Sequence, residues 1–396
     1  MADVLLDDVS RVYPDGTLAV SHLTLHVRHG ELMVILGPSG CGKSTVLRLI
    51  AGLEPLSGGS VRIGGRVVDD VQPAGRDVAM VFETGALYRH LTVSDNLRFG
   101  LTLRNLPENE IEQRVGAESR VMRLERLLGR KPRTLSAGQR QRVAVARATV
   151  RVPAVFLLDE PLTHLEAAER IRLRAELASL LHGLGATAVY VTHDQSQAMA
   201  IGDRVAVMRA GQIEQVAEPW KLYQRPDNTF VASFMGEPAM NLVAGRLEAD
   251  AGRTWVVLGN QRLPFPGSPS GLLRSRIGGP VTVGIRPEHV TAADTAAGPP
   301  AVLFSTAERV EDLGSHLLVG CPLDTRAITV ADRPGTDWPG ADWPGTERQR
   351  TSRAVLIARF PRTSRVRPGD RVELAVDMAE LSYFDPVTGE ALWNPE

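Results

Sequence analysis

The sequence predicts an α/β domain built on a parallel sheet, followed by a smaller domain made mainly of β-strands. Over the first ~230 of 396 residues, short apolar runs alternate with helical patterns, which is typical of parallel strands joined by crossover helices. After about Phe234, short β-like segments are separated by glycine and proline, which favours a small antiparallel barrel or sandwich. We place the boundary between Glu237 and Pro238, so the predicted domains are 1–237 and 238–396.

The elements of the first domain follow from apolar runs and helical spacing. Three compact apolar runs predict buried strands, at Glu31–Leu36, Ala154–Leu158 and Ala186–Thr192. The first runs into a glycine-rich turn, and apolar residues at helical spacing then predict a helix from Lys43 to Leu53. A charged helical pattern extends from Glu108 to Leu128.

In the second domain, strands are predicted at Val281–Ile285, Ala354–Ala358 and Arg371–Val376. The stretch Asp337–Gly345 reads DWPGADWPG, a tandem repeat whose proline and glycine argue against a central strand or helix. We interpret it as a surface loop insertion, more readily a tolerated duplication than a binding loop.

Charge and cysteine content exclude several classes of protein. The chain has 45 Lys and Arg against 46 Asp and Glu, so it lacks the basic footprint of general nucleic-acid binding. Its two cysteines cannot form a disulfide framework, which suggests a reducing compartment. No apolar run reaches the ~18 residues of a membrane span, and Met1–Val4 does not resemble a signal peptide. We expect a soluble intracellular protein whose membrane role, if any, comes through a partner.

A phosphate-binding loop follows the first buried strand. Residues 37–45 fit the pattern G-x-x-x-x-G-K-[ST], whose glycines let backbone N–H groups cradle phosphate oxygens at a helix start. Lys43 is expected to reach the β- and γ-phosphates, and Ser44 to bind Mg²⁺. Cys41 is interpreted as a small spacer rather than a redox group. The predicted loop consists of Gly37, Pro38, Ser39, Gly40, Cys41, Gly42, Lys43, Ser44 and Thr45.

Two acids close the second buried strand. Asp159 stands at a strand end beside the phosphate loop, where a carboxylate suits Mg²⁺ coordination through water. Glu160 follows and can face the attacking water as a general base. Two adjacent acids alone would more often be a solvated pair, and the apolar strand before them favours the site.

These residues resemble the ATP-binding subunits of ABC transporters. Leu135–Gln139 reads LSAGQ, which matches the family signature LSGGQ with Ala137 in place of its first glycine, and Arg140–Ala148 continues in the family's manner. The phosphate loop, signature, acid pair and His193 occur in the family's order. The combination is far more specific than any single motif.

The resemblance implies roles for further residues. Tyr13, ahead of the first buried strand, corresponds to the aromatic residue that stacks on adenine, and His193 to the switch histidine that contacts the γ-phosphate. Ser136, Gly138 and Gln139 of the signature would contact ATP held by the opposite subunit. The family closes two nucleotide-binding domains around two ATP molecules, so one such domain per chain implies a homodimer.

Within the family, the chain resembles the group that powers sugar importers, typified by the maltose-importer ATPase subunit. Gly284–His289 resembles its GIRPEH stretch, and Phe384, Asp385, Thr388 and Gly389 resemble its closing segment. This resemblance implies a helical subdomain at about 86–150 and an oligonucleotide-barrel-like regulatory domain at 238–396.

The group's partners are also implied by resemblance. Ala86–Val93 resembles the segment beside the groove that receives a helix of the membrane subunit, with Leu87, Tyr88 and Leu91 as its apolar contacts. The expected assembly contains two membrane permease subunits, works with an extracytoplasmic solute-binding protein and binds no nucleic acid. The chain would then sit on the cytoplasmic face of the membrane.

Four positions depart from the group's pattern. Glu83 replaces a glutamine, Gly85 an aromatic residue, Arg89 a proline, and Glu166 the aspartate of the loop after the acid pair. Glu83 keeps an oxygen ligand for Mg²⁺ but makes it anionic and loses the amide donors.

Three functions compete at this point. The leading hypothesis is an ATPase that drives import of a carbohydrate or polyol phosphate through membrane subunits. The second is a weakly hydrolysing ATP-binding regulatory module, favoured by Glu83 and Glu166. The third, a relative that acts on ribosomes or DNA, is disfavoured by the balanced charge and by the single ATP-binding domain.

Overall fold

The chain divides into two compact units, Met1–Trp220 and Lys221–Glu396. The structure is a computed structural model that describes residues 2–163, 165–269, 271–295, 301–328 and 353–393. The predicted DWPG repeat at 337–345 lies outside these residues. No helix among the described residues is long and apolar enough to cross a membrane.

The first unit contains ten strands and seven helices within the described residues. Its strands are β1 (Val4–Val12), β2 (Leu18–Val27), β3 (Leu32–Leu36), β4 (Gly58–Ile63), β5 (Arg66–Val67), β6 (Val78–Val81), β7 (Val155–Asp159), β8 (Thr187–Thr192), β9 (Arg204–Arg209) and β10 (Gln212–Ala217). Its helices are α1 (Lys43–Ala51), α2 (Val93–Thr102), α3 (Glu108–Val121), α4 (Ala137–Thr149), α5 (Ala167–Gly183), α6 (Gln195–Ile201) and α7 (Pro219–Gln224), the last of which continues into the second unit.

A six-stranded sheet forms the centre of this unit, in the order β10-β9-β3-β8-β7-β6. All neighbouring strands are parallel except β9 and β10. Every residue of β3, β7 and β8 is buried, because helices cover a parallel sheet on both faces and leave no solvated side. The predicted α/β class is confirmed. Strands β3 and β8 begin one residue later than predicted, and β7 is shifted by one residue at both ends.

Two helices end earlier than predicted, for local backbone reasons. Helix α1 ends at Ala51 rather than Leu53 because Gly52 adopts a left-handed φ of 75° and caps it, donating to the carbonyls of Arg48 and Leu49. Helix α3 ends at Val121 rather than continuing to Leu128, since Arg123 takes a φ of 54°, which no α-helix contains.

A second, four-stranded antiparallel sheet in the order β2-β1-β4-β5 was not predicted. The pairing of β1 with β2 is interrupted by register shifts, and Asp8 and His22 have positive φ, so the alternation of apolar and polar residues is broken. Because β1 precedes the first predicted strand, Tyr13 lies in the turn between β1 and β2.

The second unit is rich in β-structure, as predicted. Its strands are β11 (Asn241–Asp250), β12 (Arg253–Leu258), β13 (Gln261–Pro264), β14 (Pro280–Ile285), β15 (Val290–Ala292), β16 (Ala301–Thr306), β17 (Arg309–Asp312), β18 (His316–Arg326), β19 (Arg353–Pro361), β20 (Arg371–Val376) and β21 (Ser382–Phe384). Short helices α8 (Thr229–Phe234) and α9 (Gly271–Arg274) accompany them. The strands form sheets ordered β13-β12-β11-β14-β21, β15-β20-β16 and β17-β18-β19, all antiparallel.

The compact second unit begins upstream of the predicted boundary at Glu237. Helix α8 packs Ala232 against Met240, Leu242 and Phe384. This helix therefore belongs to the β-rich unit, although it is not itself a strand. The backbone N–H of Thr229 also donates to the carbonyl of Gly389 at 2.9 Å. The division of the chain into functional domains at 237 stays a prediction.

Candidate active site

The predicted nucleotide residues follow neighbouring strands at one edge of the six-stranded sheet. Strand β3 lies beside β8, β8 beside β7, and β7 beside β6, and all four run in the same direction. The phosphate loop follows β3, His193 follows β8, and Asp159 and Glu160 close β7. The carboxyl ends of parallel strands are the usual place for ligand sites in open α/β sheets.

Two glycines of the phosphate loop are required by close backbone contacts. A Cβ on Gly37 would lie 2.3 Å from the carbonyl oxygen of Met208, and one on Gly42 would lie 2.2 Å from that of Ala19. Gly42 also has a φ of 105° and immediately precedes α1. The loop can therefore turn tightly into the helix only with glycine at these positions.

Lys43 folds back over the loop. Its side chain is buried, and Nζ donates hydrogen bonds to the carbonyl oxygens of Gly37 at 2.9 Å and Pro38 at 2.7 Å. The ammonium group is thus held at the centre of the turn. A bound phosphate chain would compete with these carbonyls for the same three donors.

Ser44 and Asp159 lie in direct contact. The Ser44 hydroxyl, in the first turn of α1, donates to Oδ1 of Asp159 at 2.7 Å, and Asp159 is buried at the end of β7. A hydroxyl and a carboxylate at this distance form an oxygen donor set of the kind that Mg²⁺ prefers when phosphates and water complete its shell. The described residues hold no cluster of three or more His, Cys, Asp or Glu side chains suited to a metal.

Glu160 and His193 also meet. His193 Nδ1 lies 2.8 Å from Glu160 Oε2, and the Glu160 side chain is 18% exposed against 48% for His193. The Glu160 backbone N–H donates to the carbonyl of Val191 at 3.1 Å, which ties the end of β7 to β8. Glu160 has a φ of 44°, a left-handed conformation that is costly for a residue with a Cβ.

The loop that carries His193 is held by hydrogen bonds among Tyr190, Asp194 and Gln197. The Asp194 carboxylate caps α6, accepting from the Gln197 backbone N–H at 3.1 Å and from its side-chain Nε2 at 2.9 Å. Tyr190, buried in β8, donates to Gln197 Oε1 at 2.6 Å. Burial acts to raise the pKa of Asp194, but hydrogen bonds from Ser196 and Gln197 outweigh it and lower the pKa, so this cap stays ionised.

The signature residues form a separate arrangement at the start of α4. Ser136 and Gln139 make a capping box, in which each backbone N–H donates to the other's side chain, at 3.0 and 3.2 Å. A Cβ on Gly138 would lie 1.7 Å from Glu169 Oε1, so the carboxylate of α5 occupies the space beside this glycine. The side chains of Ser136 and Gln139 bind each other's backbone, and their role toward an opposite subunit stays a prediction.

Tyr13 and Glu83 both lie in turns that follow a strand. The Tyr13 ring is half-buried, and the Arg11 guanidinium carbon lies 4.7 Å from its centroid. Glu83 is exposed in the turn after β6. Val81 of β6 lies opposite Leu158 of β7, so Glu83 and Glu160 each come two residues after one member of this pair.

Cys41 is a buried thiol within the phosphate loop. Its Sγ lies 3.9 Å from Lys43 Nζ. Burial raises the pKa of this thiol more than the nearby ammonium lowers it. A protonated, buried thiol is consistent with the predicted role of a small spacer.

Two residues near the site were given no role by the sequence analysis. Thr163 donates its hydroxyl to Glu160 Oε2 at 3.0 Å, and Glu169 lies against Gly138. The hydroxyl three residues after Glu160 could have been suspected, because a tight turn after a strand brings i and i+3 together. Glu169 gave no comparable signal, since its neighbour is distant in sequence.

Comparison with known proteins identifies the family. Residues 20–163 match the ABC transporter family, and residues 236–290 match the MalK OB fold domain. The chain is 43% identical over 393 residues to the sn-glycerol-3-phosphate import ATP-binding protein UgpC of Paracoccus denitrificans, and this alignment covers 99% of both chains. This chain belongs to the ABC transporter family. It is an ABC-type ATPase subunit, and its second unit carries the oligonucleotide-barrel fold predicted from resemblance.

Other relatives of this ABC subunit agree over the whole length. It is 41% identical to the trehalose import ATP-binding protein SugC of Mycobacterium tuberculosis, over 100% of this chain and 99% of the relative. It is 42% identical to the trehalose/maltose import ATP-binding protein MalK of Thermococcus litoralis, over 99% and 100%. Among solved structures, it resembles a dimeric ATP-binding cassette in a post-hydrolysis state bound to ADP and phosphate, with a TM-score of 0.51 and 30% identity over 55% of this chain and 98% of that one.

Proposed function

We propose that this ATPase drives the import of a carbohydrate or a polyol phosphate through partner membrane subunits. The substrate class is supported by three full-length relatives, whose names refer to import of sn-glycerol-3-phosphate, trehalose and trehalose or maltose. These solutes share several hydroxyl groups, and one carries a phosphate. The choice among them belongs to the membrane subunits and a solute-binding protein.

The proposed chemistry rests on one observation, the convergence of two side-chain pairs on the edge that carries the phosphate loop. Ser44 pairs with Asp159 at 2.7 Å, and His193 with Glu160 at 2.8 Å. Lys43 and the loop N–H groups would hold the phosphates, Glu160 would accept a proton from the attacking water, and His193 would contact the γ-phosphate. Catalysis is then mainly a matter of positioning and electrostatics.

We propose Ser44, Asp159 and Glu83 as the residues that hold Mg²⁺ with the nucleotide. A bound Mg²⁺ neutralises charge on the β- and γ-phosphates. Ser44 and Asp159 already present their oxygens to each other, and Glu83 follows the adjacent strand. Tyr13 is proposed to stack on the adenine ring.

The signature residues are proposed to act on the nucleotide of a second copy of the chain. Ser136, Gly138 and Gln139 lie in the first turn of a 13-residue helix, whose N–H groups favour an anion. The solved dimeric relative bound to ADP and phosphate supports a homodimer with nucleotide between subunits.

A cavity of about 520 Å³ is the proposed docking groove for a helix of each membrane subunit. Its apolar wall includes Phe82, Tyr88 and Phe99, and its basic wall includes Arg147 and Arg151. Of the predicted contacts, Tyr88 lines the cavity, whereas Leu87 and Leu91 are half-buried in the same segment.

Arg147 and Arg151 favour an acidic residue on the helix that docks in this groove. Burial lowers the pKa of both guanidinium groups, yet arginine remains charged, so a carboxylate on the docking helix would relieve this cost. Arg147 also donates to the carbonyl of Ala86 at 2.8 Å, which links the groove to the segment after Glu83. Arg151→Glu is expected to reduce co-purification with the membrane subunits, and Arg172→Glu on exposed α5 serves as the control.

The second unit is proposed as a regulatory domain that helps to hold the dimer, with its functional boundary near residue 237. The bound assembly would place the chain on the cytoplasmic face of the membrane. A chain truncated after Gly236 is expected to bind ATP but to dimerise poorly without nucleotide. Equal dimerisation of truncated and full-length chains would remove this role.

The decisive experiment measures steady-state ATPase activity of the purified chain alone and with its membrane subunits. We expect measurable turnover that rises when the membrane subunits and the loaded solute-binding protein are added. Turnover that stays near background in the complete assembly would instead favour the weakly hydrolysing regulatory module. Replacing the solute with trehalose, maltose or sn-glycerol-3-phosphate in this assay identifies the substrate class.

A further inference from the structure

Thr163 binds the residue proposed as general base. It lies in the loop between β7 and α5, and its Oγ1 donates to Glu160 Oε2 at 3.0 Å. The Thr163 backbone N–H approaches the Glu160 carbonyl at 3.3 Å, so the loop forms a tight turn that brings the hydroxyl back to the carboxylate. We propose that Thr163 is a positioning residue, which orients the Glu160 carboxylate for activation of water; this inference rests on the proposed role of Glu160.

The backbone of Glu160 is already fixed, and Thr163 restrains the side chain. The residue is held in a left-handed conformation with φ 44°, and its N–H is bonded to Val191 of β8. Only the side-chain torsions of Glu160 are left to decide where the carboxylate points. A glutamate has three such torsions, so an unsupported carboxylate would sample several directions.

Both hydrogen bonds to the carboxylate converge on one oxygen. Thr163 Oγ1 and His193 Nδ1 approach Oε2 at 3.0 and 2.8 Å, and Oε1 receives no hydrogen bond from the described residues. Oε1 is therefore the oxygen that remains for the water. When His193 turns to the γ-phosphate, Thr163 is the contact that still holds Oε2.

The proposed step has a simple balance. The attacking water loses a proton to Oε1 of Glu160, its oxygen forms a bond to the γ-phosphorus, and the bond from that phosphorus to the bridging oxygen of ADP breaks. Thr163 exchanges no atom and keeps its own proton on Oγ1. Its contribution is to keep Oε1 within reach of water, and misplacement by about 1 Å can reduce a rate by about 10²-fold.

The contact with Glu160 requires only a hydroxyl donor at position 163. Serine and threonine both supply one hydroxyl donor, whereas valine has the shape of threonine without it. The side chain at this position can therefore be tested at almost constant volume.

The test compares Thr163→Val and Thr163→Ser with the parental chain in steady-state ATPase assays, with fluorescent-nucleotide binding and thermal unfolding measured in parallel. We expect Thr163→Val to lower kcat by about tenfold, to leave KM for ATP within about twofold, and to leave the melting temperature unchanged, because only orientation is lost. Thr163→Ser is expected to retain most of the parental kcat. Thr24→Val, which removes an exposed hydroxyl that accepts a hydrogen bond from the backbone N–H of Asp8 at 3.1 Å, is the matched control.

Two further results separate this inference from the proposed function. Thr163→Val added to Glu160→Gln should lower the residual rate no further, because a positioning residue acts through the base. If Glu160→Gln is inactive while Thr163→Val keeps the parental kcat, the positioning role is wrong and the base assignment stands. If Thr163→Val and Thr163→Ser lose activity and stability alike, the residue serves the loop fold and the inference is also overturned. Parental turnover in Glu160→Gln overturns both.

Discussion

At the strand ends of the first unit and around Arg286 of the second unit, polar groups bond to different kinds of partner. In the first unit, polar side chains at the strand ends bond to one another, as in the pairs Ser44–Asp159 and Glu160–His193. In the second unit, buried Arg286 donates instead to the backbone carbonyls of Tyr223 and Met235. Side-chain pairs can exchange partners when a ligand arrives, whereas side chains that satisfy carbonyls hold the fold together. The difference separates contacts that can take part in catalysis from contacts that stabilise the fold.

The comparison is tested most strongly by Glu160→Gln. If Glu160 is the general base, this change removes the acceptor of the water proton, and turnover should fall by about 10²–10⁴-fold. Nucleotide binding and thermal stability should be retained, because the amide keeps the size of the side chain. ATPase rate, fluorescent-nucleotide binding and gel filtration with ATP measure the three effects. A variant that turns over ATP at the parental rate would show that the base lies elsewhere.

Much of the first unit could be predicted because its motifs are local. A strand, a glycine-rich turn and a helix contiguous in sequence determine the phosphate loop, which places Lys43 and Ser44 at the start of α1. The contact of Thr163 with Glu160 could not be read with the same certainty, since it depends on how a loop turns. The β1–β2 pair was missed because its register shifts hide the alternation.

The second unit was predictable only as a class. Glycine and proline between short apolar segments indicated antiparallel strands, and Arg371–Val376 was placed correctly. The pairing of β14 with β21 joins segments about 100 residues apart, as in Thr282 with Phe384, and no local pattern specifies such a partner. Sheet order is a property of the packed barrel rather than of its strands.

Arg286→Met tests whether this buried arginine stabilises the second unit. Burial lowers the pKa of Arg286, and its guanidinium also lies 3.6 Å from the centre of the Tyr223 ring. Removal leaves buried carbonyls of Tyr223 and Met235 without their donor, which should cost the second unit about 2–4 kcal/mol. Nucleotide binding by the first unit should change little.

The chain offers a selective probe for this prediction. All five tryptophans lie at residue 220 or later, so their fluorescence reports mainly on the second unit. Thermal unfolding followed by tryptophan emission should shift in Arg286→Met and stay unchanged in Arg274→Met, where the arginine is exposed. An unchanged transition in Arg286→Met would mean that this buried arginine does not stabilise the fold.

A smaller effect is expected at Glu83, which adds a carboxylate at the strand edge of the first unit. Glutamate supplies an anionic ligand where the family has a neutral amide, so ATPase activity should depend more steeply on Mg²⁺ than in Glu83→Gln. We expect the Mg²⁺ concentration for half-maximal activity to change by a few-fold, together with altered stimulation by the membrane subunits. Glu112→Gln, on exposed helix α3, is the control. Unchanged metal dependence and unchanged stimulation would show that Glu83 does not face the metal.

The two cysteines provide the finest comparison, because each unit buries one. Cys41 lies in the phosphate loop and Cys321 in β18, and burial raises the pKa of both thiols, that of Cys321 to about 12. At pH 8 a thiol with a pKa of about 12 is ionised to roughly one part in 10⁴, so alkylation of the folded protein should be slow. Since the thiolate is the reactive form, the rate at Cys321 should rise about tenfold per pH unit up to pH 9 without a plateau.

Nucleotide should separate the two thiols. ATP would cover the loop that contains Cys41 and would have no reason to protect Cys321, which therefore serves as the internal control. Iodoacetamide labelling at several pH values, with and without ATP, followed by mass spectrometry of the two cysteine peptides, measures both rates in one sample. Protection confined to Cys41 is expected, because the predicted phosphate loop contains Cys41 and not Cys321. Equal protection of both thiols would mean that ATP also reduces the exposure of Cys321 in the β-rich unit. The proposed difference between the two units would then be wrong.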